Sequence, residues 1–245
     1  MKPVLLVIAH GSRDPRHAAT VHALVRRVRA LRPGVRVETG FLDFNIPSVQ
    51  GVLESLAAEG VRDVVALPLL LTRAFHAKAD IPAVLRDAPP QLRIRQAEVL
   101  GPSPLLLSAL ERRLYEAGLT PADKSSTGVV LASAGSTDPE AIAVIADIAR
   151  EWRHTGWCAV RPAFASAALP RTEDAVRELR ALGCARVAVA PYVLAPGFLP
   201  DRIARGAADA DVLAEVLGAA PEVARVLLRR YDTASAGALS LPVSA

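Results

Sequence analysis

Residues 3–15, PVLLVIAHGSRDP, and residues 128–139, GVVLASAGSTDP, hold the reading of the whole chain. Each begins as a short continuous apolar run, the pattern of a strand buried on both faces. Each then breaks at a small, polar turn and continues into helical spacing. The two stretches align letter by letter: His10-Gly11-Ser12-Arg13-Asp14-Pro15 against Ala134-Gly135-Ser136-Thr137-Asp138-Pro139. The same order of elements therefore starts twice.

Working outward from the first copy, Val21, Leu24, Val25, Val28 and Leu31 recur at helical spacing until Pro33-Gly34 stops them. Val35 to Leu42 reads as a second strand, and Val49, Val52, Leu53 and Leu56 as a second helix. Gly60 leads into DVVALPLLL, a third strand with Pro68 near its carboxyl end. A helix from about Ala79, a strand ending in AEVLG and a helix through Leu106, Leu110 and Leu114 complete the copy. Strand and helix alternate four times, the pattern of an open, mainly parallel sheet covered by helices. After the small, polar residues 120–127 the order restarts, with a helix through Ile142, Ile145 and Ile148, a strand WCAVRPAF, a helix near 171–182 and a strand RVAVAPYVL. Pro68 matches Pro191, and Ala97-Glu98-Val99-Leu100-Gly101 recurs unchanged as Ala214-Glu215-Val216-Leu217-Gly218. The expectation is an α/β protein of two similar domains, 1–119 and 128–232, related by duplication and facing each other across a pseudo-twofold axis. Residues 120–127 would be a linker and 233–245 a disordered tail.

Composition limits the function. Of the 245 residues 51% are apolar, 22% charged and only 4% aromatic, so a large aliphatic core is available and a collagen, a disordered tail protein, a disulfide-framed secreted module and a zinc ribbon are excluded. No apolar run approaches the roughly 18 residues of a membrane span, and the start MKPVLLVIAHGS has no signal-peptide pattern. Cys158 and Cys184 have no metal-ligand spacing, sit in apolar contexts and read as core, in a reducing cytoplasm. The net charge is +4 and the pI about 9.5, but the basic residues are not bunched; Arg26, Arg27, Arg29 and Arg32 read as the wet face of a helix. No nucleic-acid partner and no membrane is expected.

The chemistry shows where the copies differ. His10 ends the first strand and becomes Ala134. After the third strand, Phe75 meets Phe198 and so His76 meets Leu199. Asp43, in GFLDFNIPS after the second strand, has no acidic counterpart in PAFASAALP. Sites in open parallel sheets form beyond the carboxyl ends of strands. Two histidines and a carboxylate there can hold a divalent metal with positions left open. Imidazole also serves as a proton acceptor near neutral pH. His17, His22 and His154 lie on or beside helices and read as surface histidines. Ser12 and Ser136 sit in no nucleophile elbow, and a turn or helix-capping hydroxyl explains both. Neither glycine turn belongs to a G-x-G-x-x-G or Walker sequence, so no dinucleotide or ATP site is expected.

LLVIAHGSRDPR at the start, LPLLLTRAFHAKADIP after the third strand and PYVLAPGFLPDRI in the second half resemble the sirohydrochlorin chelatase family. These are ATP-independent, single-chain type II enzymes that insert cobalt or ferrous iron into a tetrapyrrole. The resemblance covers roughly residues 3–231. It implies two chelatase-like, flavodoxin-like three-layer α/β/α domains, with the active site built from the amino-terminal half. It also implies that His10 and His76 are the metal-binding, catalytic histidines and that Asp43 stands where the family commonly has a glutamate. Ala74 replaces a frequent glycine. Sirohydrochlorin carries eight carboxylates, so Arg13, Arg16, Arg73 and Lys78, which flank the histidine loops, are candidates to bind it, together with Ser12. No iron–sulfur cluster is expected, since there is no cysteine cluster. The duplication removes the need for a dimer, and a monomer is expected. Two other readings are weighed beside the enzyme: a metal or tetrapyrrole carrier without turnover, and an unrelated α/β metal-dependent hydrolase. The hydrolase predicts D-x-H or D-x-D pairs at strand ends, and none is present.

Overall fold

Strand β1 (Val4–Ala9) is buried along its whole length, as its unbroken apolar sequence requires of a strand covered on both faces. It sits inside a parallel sheet of order β2-β1-β3-β4, with β2 at Val37–Phe41, β3 at Asp63–Pro68 and β4 at Arg93–Gln96. A second parallel sheet repeats the order as β6-β5-β7-β8, from β5 (Thr127–Ser133), β6 (Ala159–Phe164), β7 (Arg186–Tyr192) and β8 (Val212–Leu213). The helices are α1 (Pro15–Leu31), α2 (Val49–Ala58), α3 (Ile81–Arg86), α4 (Pro104–Glu116), α5 (Pro139–Arg153), α6 (Thr172–Ala181), α7 (Phe198–Gly206) and α8 (Pro221–Ala236). This computed structural model describes residues 2–73 and 79–236. The α/β class, the two parallel sheets and their duplication are as the sequence pattern predicts. Among the described residues no helix is long and apolar enough to cross a membrane.

Each α1-type helix starts the same way. Asp14 caps α1 by accepting the Arg16 N–H at 2.9 Å, and Asp138 caps α5 by accepting the Glu140 N–H at 2.9 Å, each followed by a proline in the first turn. The repeated AEVLG stretch has a different role from the expected strand end. The fourth strand stops before it because the chain turns off the ladder and hydrogen-bonds back to the end of the neighbouring strand. Ala97 donates to the Ala66 carbonyl and Leu100 to that of Leu70; Ala214 and Leu217 donate likewise to Val189 and Val193. An identical five-residue sequence thus marks an identical return path.

Packing divides the chain into two compact units that are not its two sequential copies. One comprises residues 1–101 with 223–245, and the other residues 102–222. Helix α8 follows the second sheet in sequence, yet from Val223 it belongs to the unit of the first. It buries Val226, Leu227, Leu228 and Tyr231 there. The Tyr231 hydroxyl donates to the Pro3 carbonyl at 2.8 Å, Arg230 to the Leu100 carbonyl at 3.2 Å, and Arg32 forms a two-pronged pair with Asp232. Helix α4 belongs reciprocally to the second unit, where Arg113 donates to the Leu217 carbonyl at 3.2 Å and Lys124 pairs with Glu111. The polar stretch 120–127 contains a 3-10 helix, Pro121–Ser126, closed by a capping box between Thr120 and Asp123. Residues 233–236 are helical as the end of α8. Cys184 is buried as expected, but Cys158 is exposed, because it precedes β6 at the amino edge of its sheet; their sulfurs are 3.7 Å apart.

The exchange of helices has a measurable consequence. Leu227→Ala in α8 should cost about 2–5 kcal/mol, as for other buried leucines. Hydrogen exchange read by mass spectrometry should then quicken in β1 and β3. Leu110→Ala in α4 should instead quicken β5 and β7. Faster exchange in the sheet nearest in sequence to each helix would contradict this packing.

Candidate active site

The turn after β1 is built on Gly11. Its φ is +94°, a left-handed conformation that glycine adopts without a Cβ penalty. A Cβ there would lie 1.8 Å from the Asp43 carbonyl oxygen, so no other residue fits. The absent side chain lets the β1–α1 turn lie directly against the β2–α2 loop, and three hydrogen bonds join them. Leu42 donates to the Ala9 carbonyl at 3.0 Å, Asp43 to the His10 carbonyl at 2.9 Å, and Ser12 to the Asn45 Oδ1 at 2.8 Å. The β2–α2 loop is itself tightly set. Phe44 has φ +61° and the Ile46-Pro47 peptide is cis. A non-glycine residue in the left-handed region costs on the order of 1–2 kcal/mol.

The second copy repeats this backbone almost atom for atom. Gly135 has φ +95°, and a Cβ on it would lie 1.9 Å from the Ser166 carbonyl oxygen. Ser166 donates to the Ala134 carbonyl at 3.0 Å, Ala167 has φ +61°, and Leu169-Pro170 is cis. Asp14 and Asp138 each donate a backbone N–H to the serine hydroxyl two residues before, so Ser12 and Ser136 brace their own turns. What changes is the side chains. His10, Asp43, Phe44 and Asn45 face Ala134, Ser166, Ala167 and Ala168. The scaffold is common to both copies, and the groups able to bind a metal or move a proton are in the first.

His10 is half-buried at the carboxyl end of β1, and its ring meets Phe44 edge-on with centroids 6.4 Å apart. Asp43 is exposed. Arg13 lies over the Phe44 ring at 5.2 Å, a cation–π contact. Arg16 is engaged elsewhere: it grips Asp14 through Nε and Nη2, and this hydrogen bond holds the Asp14 carboxyl below the usual range. Arg73 is exposed and 3.7 Å from Glu98. His76 and Lys78 lie outside the described residues, as does Ala74. The structure thus brings together His10, Ser12, Arg13 and Asp43, with Arg16 beside them on the first turn of α1. Among the described residues no three His, Cys, Asp or Glu side chains converge as a complete metal site. In a sheet of order 2-1-3-4 the crevice for a ligand opens beyond β1 and β3, and that is where the His10 turn and the segment entering His76 begin.

Three neighbours escape sequence reading. Asn45 carries the acceptor that holds Ser12, and Phe44 packs on His10. Both are revealed by aligning GFLDFNIP with AFASAALP residue by residue, not only by searching for acids. His17 is half-buried instead of lying on the surface, because the first turn of α1 faces the His10 turn. Burial first, and then the positive charge available to His10, hold the His17 imidazole below its ordinary pKa, with Asp14 acting in the opposite sense.

The CbiX family model matches residues 4–117 and again 128–234. The chain is 32% identical over 210 residues to a sirohydrochlorin cobaltochelatase of Priestia megaterium, covering 83% of this chain and 67% of that one. It is 28% identical over 211 residues to a sirohydrochlorin ferrochelatase of Bacillus subtilis (strain 168), covering 84% and 79%. Its fold matches the structure of SirB from Bacillus subtilis with Fe3+ at a TM-score of 0.83 and 25% identity over the full length of both chains.

Two outcomes follow from this geometry. Gly11→Ala and Gly135→Ala should each lower stability by about 3 kcal/mol through backbone strain and displacement of the facing loop, read as a drop in urea midpoint. Because the folded pKa of His17 lies below its ordinary 6.5, the unfolded chain takes up a proton first as the pH falls. Stability contributed by neutral His17 is therefore present above pH 6.5 and declines below it. His17→Asn should flatten that part of the acid loss in urea midpoints measured from pH 7.5 to 5.5; an unchanged slope would exclude His17 as its source.

Proposed function

This chain belongs to the CbiX family, and from that premise we propose that it acts as a sirohydrochlorin chelatase, placing Co²⁺ or Fe²⁺ at the centre of the macrocycle. The observation that carries this reading is the duplicated backbone with chemistry on one copy only. The fused turns of the first sheet carry His10 and Asp43 beyond the carboxyl ends of β1 and β2, and the same turns in the second carry Ala134 and Ser166.

The reaction removes two pyrrole N–H protons and puts one divalent metal in their place, releasing two H⁺. In our reading the imidazoles of His10 and His76 hold the metal on one face of the ring, and one of them accepts a proton as the nitrogens close on the ion. General-base help of this kind is worth about 10²–10⁴-fold. Asp43 binds the metal, orients a histidine or relays a proton to solvent, to which it is open. Arg13, Arg73 and Lys78 meet the substrate carboxylates. Arg16 supports the turn through Asp14, and Ser12 fixes it through the Asp14 N–H and the Asn45 side chain. Fixing the turn in advance avoids an ordering cost when metal and macrocycle meet. Proton release and ligand exchange balance the step, and we assign no part in it to a nucleotide or an iron–sulfur cluster. We place the reaction in the cytoplasm and in a single copy of the chain.

Anaerobic mixing of the protein with sirohydrochlorin and Co²⁺ or Fe²⁺, followed by absorbance, tests this. Wild type should metallate well above the uncatalysed rate, and His10→Ala and His76→Ala should each lose at least about 10²-fold. Asp43→Glu should retain most activity and Asp43→Ala should not. Binding of metal or macrocycle with insertion at the background rate would identify a carrier instead.

A further inference from the structure

The β2–α2 loop turns two large apolar side chains outward, and the duplication separates their meanings. Ile46 is 87% exposed, and its counterpart Leu169 is 72% exposed. An outward aliphatic group beside the cis-proline therefore belongs to the loop in both copies. Phe44 is different. It is 59% exposed, its counterpart is Ala167 at the same φ of +61°, and it occurs only in the copy that has His10 and Asp43. Neither loop backbone requires an aromatic, since alanine holds the same conformation. Nor does the core, since most of the ring is open to solvent.

The surroundings of Phe44 give the ring a ligand-facing role. Arg13 covers it at 5.2 Å, and His10 meets it edge-on at 6.4 Å. With Arg13 over the ring, Phe44 is still 59% exposed, which leaves apolar surface open to a flat π-system. An aromatic ring carrying a guanidinium, beside a histidine at a strand end, matches a planar conjugated ligand with carboxylates at its edge. We propose that Phe44 is the stacking platform for one pyrrole ring of the macrocycle, and that Arg13, steadied over Phe44, pairs with a carboxylate of that ring. This rests on the chelatase reading and adds a specificity element to it. Phe44 sets where the macrocycle lies relative to His10, while metal binding by His10 is independent of it.

Alanine already occupies the equivalent position in the second copy, so Phe44→Ala is expected to fold, which a melting curve verifies. Metal-free sirohydrochlorin is titrated against wild type, Phe44→Ala, Phe44→Leu and Phe44→Trp by absorbance, and Co²⁺ alone against each by calorimetry. Phe44→Ala should weaken macrocycle binding about 10-fold, and Phe44→Leu, which keeps apolar area without a π-face, about fivefold. Phe44→Trp should stay within about twofold, and Co²⁺ binding should be the same in all four. Macrocycle binding by Phe44→Leu equal to wild type would overturn the stacking role, as would a parallel loss of Co²⁺ binding in Phe44→Ala, which would place the effect on His10. Wild type that binds no sirohydrochlorin would remove the chelatase reading and this proposal together, a result distinct from wild type that binds and variants that bind as well.

Discussion

Everything at the candidate site depends on the approach of Gly11 to the Asp43 carbonyl, where a Cβ would come within 1.8 Å. Two loops from different strands are normally free to vary independently. Here contact between main chains fixes one against the other, and hydrogen bonds from Asp43 to His10 and from Ser12 to Asn45 keep the register. Once Gly11 is in place, the position of His10 relative to Asp43 is set by backbone and not by side-chain packing. The exposed Asp43 and the half-buried His10 are thereby given fixed anchors. The left-handed backbone at Phe44 belongs to the same constraint, because it recurs at Ala167 where the glycine contact recurs.

The second copy separates scaffold from chemistry within one molecule. Gly135 repeats the contact with Ser166 to within a tenth of an ångström, and the left-handed residue, the cis-proline and the serine brace follow it. The glycine contact, the left-handed residue and the serine brace thus belong to the turn itself, since they persist where Ala134 and Ser166 stand in place of His10 and Asp43. His10, Asp43, Phe44 and Asn45 are not needed to form the turn, since Ala134, Ser166, Ala167 and Ala168 form it equally well. Of these four side chains Asn45 is tied into the fold by Ser12, whereas Asp43 and Phe44 are exposed.

The legibility of this chain in sequence follows the same division. The buried strands were readable because VLLVIA and GVVLAS have no polar side to offer, and helix starts because Asp-Pro states a cap and a first turn. His10 and Asp43 stood out because their counterparts lack the functional group outright. His17 did not, because partial burial arises from the direction in which α1 leaves the turn, a property of three dimensions. The membership of α4 and α8 in their packing units was equally unreadable. An amphipathic helix shows that it has a face to bury, through Leu227 and Leu228 in one case and Leu106 and Leu110 in the other, but not which sheet receives it.

That exchange bears on how the two copies of a duplicated chain depend on each other. Residues 1–101 lack the helix that completes their own unit and receive it from residues beyond 222. The Tyr231 hydroxyl on the Pro3 carbonyl and Arg230 on the Leu100 carbonyl tie α8 to that unit through part-buried hydrogen bonds, each worth about 0.5–1.5 kcal/mol. The copy that carries the histidines is therefore not an autonomous fold to which a spare copy is appended. Loss of the second half would strip the first of α8 and expose the face that Leu227 buries. The second copy carries Ala134 and Ser166 where the first has His10 and Asp43, and its sequence still supplies the helix that completes the first unit.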